Sequence, residues 1–369
     1  MAFDKHDRMV AGRVRVVQVS RKMSDIARLA GVSEATVSRA LRGSTLISQA
    51  TRERIQEIAE TVGYTVDHTA RNLRLQRTGA ITVAVPLHHE VDQGISDPFF
   101  LEMLGFLADE LADRGYDLLL RKIGADEPNG LAALVTERRS DGILLIGQST
   151  QHAQIKALAQ HYKPLVVWGA DMGDGAYITV GSDNRAGGRM AVEHLLKLGH
   201  RRIAFFGDRE LPEVAARFEG YHEALAAAGV KWEPALECRV TFKKAGSHAA
   251  ISDFLKTGTP FDAVFAASDQ LAGAAINIFD RHGLKVPRDV AVVGFDDLML
   301  AAAYTPALTT VHQDLAAGAR LMVNKLFKRM TDEDVRSTLV PVRLIVRASC
   351  GGNASPSPRR RRTKLAVAS

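Results

Sequence analysis

Cysteine is almost missing: Cys238 and Cys350 are the only two in 369 residues, and they lie far apart in the chain. That spacing excludes a disulfide framework and suits a reducing, cytoplasmic compartment. No uninterrupted apolar run reaches the length of a membrane span. The opening MAFDKHDRMVAGRVRVVQVSRK is too broken by charge to be the apolar part of a signal peptide. Catalytic signatures are missing too: there is no GxxxxGK[ST] phosphate loop, no GxSxG elbow and no HExxH pair. His88 and His89 are adjacent, without a partner at ligand spacing, so neither a metal nor another cofactor is expected, and the chain does not read as an enzyme.

Charge is present but unevenly placed. The formal +6 divides into +4 over residues 1–22, +2 over 23–78, −5 over 79–350 and +5 over 351–369. A basic end on an acidic body suits a protein that meets a polyanion at one end only. At that end stands SDIARLAGVSEATVSRAL, Ser24 to Leu41. Ser24 reads as an N-cap with Asp25 at the positive helix end, and Ile26, Ala27, Leu29 and Ala30 as an apolar face. Gly31 supplies the positive φ of a tight turn, and Ser33 caps a second helix carrying Ala35, Val37, Ala40 and Leu41. A third helix is predicted from Gln49 to about Val62, with Ile55, Ile58, Ala59 and Val62 on one face, Gly63 as its stop and Tyr64 closing over the core. The whole reads as a helix-turn-helix.

The wording AGVSEATVSRAL closely resembles the start of the lactose and galactose repressor (LacI/GalR) family of bacterial transcription factors, and the resemblance continues for most of the chain. It implies that Glu34, Ala35 and Arg39 face base edges in the major groove of double-stranded operator DNA, while Ser33, Thr36 and Ser38 contact phosphate. Within DHTARNLRLQRTG, Asp67 can cap a helix of about two turns, shorter than an isolated helix tolerates in water. By the resemblance this is a hinge helix, paired with its copy in a homodimer. Leu73 is then the wedge between base pairs in the minor groove, and Ala70 the small residue that lets the two helices approach. The chain departs from the family at Thr65, Val66 and Asp67, where proline and then asparagine are usual, which loosens the entry to the hinge.

From Gly79 the pattern changes to short buried runs, AITVAV, DLLLRK, GILLIG, PLVVWG, YITVG, RIAFFGD, DAVFAAS and VAVVGFDD, separated by helical stretches. Repeated β-α units over some 270 residues exceed one sheet and predict two doubly wound lobes with a cleft at the carboxyl ends of their strands. The expected class is therefore a mixed α+β, multidomain chain: an all-α DNA-binding head and a two-lobed α/β sensor resembling periplasmic sugar-binding proteins. The expected division is a basic extension 1–22, a helix-turn-helix domain 23–66, a hinge 67–78, a core 79–350 and a basic tail 351–369. Within the core, lobe one takes 79–180 with 312–332, and lobe two takes 181–311 with 333–350. The tail has no leucine heptads, so no tetramer-forming coiled coil is expected.

Loops after these strands that also match family ligand positions offer Asp97, Phe99 and Phe100 in SDPFF, Asp183 in SDN, Arg217 in ARFEGY and Asp296 in GFDD. ASDQ adds Ser268 and Asp269, and Trp168 and Phe242 are further aromatic candidates. Asp97, Asp183 and Asp296 can equally be helix caps, Arg217 can pair with Glu213 one helical turn back, and the phenylalanines can be core. Carboxylates with a single guanidinium and an aromatic platform suit the hydroxyls and apolar face of a neutral sugar. A purine or other metabolite acting as corepressor is the alternative. The resulting expectation is a cytoplasmic, nucleoid-associated dimeric repressor, with no membrane partner, whose operator affinity is controlled allosterically by a mono- or disaccharide. A sugar-transport protein would need an export signal and no DNA head; an enzyme with a regulatory head would turn the sugar over. Arg39 has the fork to read guanine O6 and N7. Arg39→Ala is expected to relax preference at one operator position by about 1–3 kcal/mol in a binding-site selection, and an unchanged selected sequence would contradict that role.

Overall fold

The computed structural model describes residues 22–41, 43–64, 77–87, 94–124, 126–240 and 244–352, with backbone alone at 244 and 245. The chain divides into two compact units, one ending at Arg74 and one beginning at Leu75. The first contains α1 (Met23–Ala30), α2 (Glu34–Leu41) and α3 (Gln49–Thr61). Ile26, Ala27 and Ala30 pack with Val37, Ala40, Ile55 and Ala59 into a small core, and Ile58, Val62 and Tyr64 cover its edge. Gly31 turns the chain at φ +63°, a backbone conformation open to glycine without cost.

Two details differ from expectation. The helix starts one residue before Ser24, with Lys22 at the cap position, and the Asp25 carboxylate accepts the Lys22 N–H at 3.1 Å. Leu29 is 54% exposed, because three other side chains of α1 already fill the space above α2 and α3.

The second unit holds two six-stranded sheets. The first sheet draws on β1 (Ala80–Pro86), β2 (Asp117–Ile123), β3 (Gly142–Ile146), β4 (Leu165–Trp168) and β5 (Ile178–Ser182). The second draws on β6 (Ile203–Phe206), β7 (Glu237–Cys238), β8 (Ala263–Ala266), β9 (Ala291–Asp296) and β10 (Thr309–Gln313). The chain then returns twice more: β11 (Thr338–Val340) joins the first sheet and β12 (Val342–Ile345) the second, giving orders β11-β5-β4-β3-β1-β2 and β12-β10-β9-β8-β6-β7. Only β12 runs antiparallel to its neighbour. The central strands are buried along their whole length, as parallel strands covered by helices on both faces must be.

Helices α4 (Pro98–Ala112), α5 (Gly130–Thr136), α6 (His152–His161) and α11 (Leu315–Met330) cover the first sheet; α7 (Asn184–Lys197), α8 (Pro212–Ala227), α9 (Lys244–Lys256) and α10 (Asp269–Arg281) belong to the second. The chain therefore crosses between lobes at Asp183, Asp314 and Pro341. The first two crossings lie close to the expected 180/181 and 311/312. The third lies well beyond the expected 332/333, because Thr338, Leu339 and Val340 pair with Val180, Gly181 and Ser182. A three-residue, half-exposed edge strand is too short to show a period.

Candidate functional site: a helix-turn-helix face and an interlobe cleft

In the head, burying Val37 and Ala40 fixes which side of α2 is left outside. Glu34, Ala35 and Arg39 are exposed and Thr36 and Ser38 half-buried, so the residues assigned to base and phosphate lie on the face away from the core. Ser33 is the N-cap: its Oγ accepts the Thr36 N–H at 3.2 Å, and the two hydroxyls stand 2.9 Å apart. The loop before α3 is tied down by Arg52, whose Nη1 donates to the Gly43 carbonyl at 3.1 Å. Leu73 and Ala70 lie outside the described residues.

In the second unit, the carboxyl ends of both sheets face one cleft of about 860 Å³, its open mouth included. Its walls come from the ends of β1, β3, β4, β5 and β9 and from the starts of α4, α7, α8 and α10. The structure brings Asp97, Phe99, Phe100, Trp168, Arg217, Ser268 and Asp296 together there. Asp183 is not among the lining residues: its Oδ1 caps α7 by accepting the Ala186 N–H at 2.9 Å, which is the bland alternative. Asp269 lies beneath the surface at 1% exposure, accepting from the Leu298 N–H at 2.9 Å and from the Thr310 hydroxyl. Phe242 lies outside the described residues.

Arg217 organises this cleft. Its Nε donates to Asn184 Oδ1 at 2.8 Å, its Nη1 donates to the Ala267 carbonyl, and Nη1 lies 3.7 Å from Asp296 Oδ1. The guanidinium also stands 3.7 Å over the Phe295 ring. The position is enforced by α7 and α8, whose backbones touch: a Cβ at Gly188 would collide with the Arg217 carbonyl, and one at Gly220 with Arg185. Burial pushes the Arg217 pKa down, and the charges of Asp296, Glu213 and Asp269 oppose that shift. Gln313 Nε2 donates to Asp296 Oδ1 at 2.6 Å.

Two residues of the cleft wall are also helix caps. Asp97 starts α4 by accepting the Phe99 N–H at 3.0 Å, and Ser268 starts α10 by accepting the Leu271 N–H at 3.2 Å. Phe99 and Phe100 meet edge to face, 5.6 Å between centroids, beside them.

The sequence reading missed the amides Asn184, Gln270 and Gln313, the Ser182 hydroxyl, and Glu213 as anything but a helix partner. Three of these carry buried oxygens without a hydrogen-bond partner among the described residues: Ser182 Oγ, Glu213 Oε1 and Gln270 Oε1. A buried unpaired oxygen costs roughly 1–3 kcal/mol, so three in one cleft mark a surface built to meet donors from outside. Among the described lining residues there are three carboxyl groups, on Asp97, Glu213 and Asp296, and one cation, Arg217, whose Nε and Nη1 are already engaged.

Burial raises Asp296 to about 7, with Asp97 adding to the rise and Arg217 opposing it. The folded protein thus holds this proton more tightly than the unfolded chain. The contribution to stability is complete below the ordinary carboxylate range near 4 and is lost as pH climbs to about 7. Relative to Asp296→Asn, the wild type is expected to lose stability against denaturant between pH 4 and 7 and then level off, by at most about 4 kcal/mol. Parallel profiles for the two proteins would show that Asp296 is ionised throughout.

A model for bacterial regulatory proteins of the lacI family matches residues 22–67, and one for a periplasmic binding protein-like domain matches residues 192–350. The HTH-type transcriptional regulator CelR of Thermobifida fusca is 33% identical over 327 residues, covering 87% of this chain and 94% of that protein. The ribose operon repressor of Escherichia coli (strain K12) is 30% identical over 328 residues, covering 87% and 97%. Among solved structures, a complex of the regulator CelR with cellobiose superposes with a TM-score of 0.66 at 31% identity, over 89% of this chain and 99% of that one. A head folded as three short helices, a cleft between two wound sheets and these near full-length likenesses lead to one conclusion: the chain belongs to the lacI family and is a DNA-binding transcriptional regulator.

Proposed function

We propose that the chain is a homodimeric repressor, acting in the cytoplasm, whose hold on operator DNA is set by a neutral mono- or disaccharide in the interlobe cleft. The observation that carries this reading is the pairing of one guanidinium, held within the lobe at Nε and Nη1, with three unpartnered oxygens. A phosphorylated or acidic effector would bring its charge against the carboxyl groups of Asp97, Glu213 and Asp296, with Arg217 as the one described cation lining the cleft to answer it. Sugar hydroxyls instead donate to Ser182, Glu213 and Gln270, while Phe99 and Phe100 cover an apolar ring face. CelR in complex with cellobiose is a relative whose ligand has this chemistry.

Glu34, Ala35 and Arg39 read bases, and Ser33, Thr36 and Ser38 hold phosphates. Pairing of two copies is supported by exposed apolar side chains at Leu101 on α4 and at Met299, 85% exposed, and Leu300 in the second lobe. The effector binds without being turned over. It closes the lobes and shifts the two copies relative to each other, so operator affinity falls by no more than the effector's differential affinity for the two arrangements.

The test is a panel of neutral mono- and disaccharides added to the full chain on a duplex that it has selected from a random pool. At least one sugar is expected to raise the melting temperature and release the duplex. Arg217→Ala and Asp296→Ala are expected to keep duplex binding within about threefold and lose the response. If no neutral sugar acts, or if folded Arg217→Ala no longer binds the duplex, the reading fails.

A further inference from the structure

The chain enters lobe one from the head through Thr78 and Gly79, and a side chain 62 residues further along holds that entry. Asp141, just before β3, accepts the Thr78 N–H on Oδ1 at 2.7 Å and the Gly79 N–H on Oδ2 at 3.0 Å. Its own N–H donates to the Ala80 carbonyl at 2.8 Å, and Asp117 N–H, at the start of β2, donates to the Gly79 carbonyl at 2.9 Å. Gly79 sits at φ +73°, so the path is a turn strapped to the amino ends of three strands. The cleft lies at the opposite, carboxyl ends of the same strands.

Lobe two has a related clamp that connects to no linker. Asp262, just before β8, accepts the N–H groups of Arg201 and Arg202 at 3.1–3.3 Å, and its own N–H donates to the Arg202 carbonyl at 2.9 Å. Measured from the residue whose carbonyl takes the aspartate N–H, the clamped amides in lobe two are that residue and the one before it. In lobe one they are the two residues before it, so Asp141 grips one residue further toward the head. The clamp is thus part of how each lobe is built, and in lobe one it is displaced onto the incoming chain.

We propose that Asp141 is a positioning residue for DNA binding: it fixes the direction in which the head-bearing segment leaves lobe one, and so carries lobe movement to the DNA-reading surface. A two-point clamp on consecutive amides restrains orientation as well as position, which a single hydrogen bond does not. Asparagine offers one oxygen where the carboxylate offers two, so Asp141→Asn breaks one of the two holds and leaves the volume unchanged.

Full-length wild type, Asp141→Asn and Asp262→Asn are compared on the duplex selected by wild type and on random-sequence duplex. Asp141→Asn is expected to lose about tenfold in affinity for the selected duplex and less than twofold for random DNA. Asp262→Asn is expected to lose less than twofold on both, with a comparable fall in melting temperature. Equal losses in the two variants, or no loss in Asp141→Asn, would overturn the proposal. If Asp141→Asn does not fold, hydrogen exchange of the wild type decides: the Thr78 and Gly79 amides are expected to slow at least fivefold on binding the selected duplex, while those of Arg201 and Arg202 do not. The same response at both pairs would overturn it.

Discussion

A cation can be buried between two protein layers only if everything around it answers its charge, and in this protein that cation is Arg217. Asn184, the Ala267 carbonyl, Asp296 and the Phe295 ring surround it, from three stretches of lobe two. The cost of burial is thereby met from within the lobe by Asn184 and Asp296 among others, and the oxygens of Ser182, Glu213 and Gln270 are not consumed in meeting it. That division gives the cleft its chemistry: a framework electrically settled on one side, and oxygens still seeking donors on the other.

The placement of Arg217 depends in turn on how closely two helices approach. Gly188 on α7 and Gly220 on α8 let backbone meet backbone, which brings Asn184, at the start of one helix, within hydrogen-bond reach of a guanidinium in the middle of the other. Larger residues there would separate the helices and lift the arginine off Asn184 and Phe295. The glycines serve the site without touching it, a contact between helix backbones that governs the electrostatics of the cleft.

Much of this was legible in the sequence, for physical reasons that differ by element. The three-helix head announces itself because a small core needs apolar residues at fixed spacing, a glycine turn and a capping serine in order. Most of the eight apolar runs announce strands because a parallel strand buried on both faces has no polar positions to spare; DLLLRK differs, since β2 is an edge strand that stays largely exposed or half-buried. Asp97, Arg217, Ser268 and Asp296 stand at strand ends or on helices that face them, where a cleft must draw its polar groups. What sequence could not give is burial without pattern. Gln270 and Gln313 are single amides whose importance lies in what their oxygens and nitrogens meet, and Glu213 looks like an ordinary helix partner until its Oε1 proves unpaired. Asp183 and Asp269 look like their neighbours but are spent on a helix cap and on the Leu298–Thr310 backing. The third interlobe crossing was displaced because β11 has only three residues, and Leu29 was misread because one face of α1 is narrower than its apolar content.

The two ends of lobe one differ: the cleft lies at the carboxyl ends of its strands, and the chain that follows the helix-turn-helix head enters at their amino ends. Parallel strands span the distance between these two ends. All of this rests on the charge balance set by Arg217. The most direct measurement is calorimetric titration at pH 7.5 of the sugar that releases DNA, side by side with its phosphate ester. The account predicts that the neutral sugar binds and that the ester binds at least a hundredfold more weakly; equal or tighter binding of the ester would contradict it.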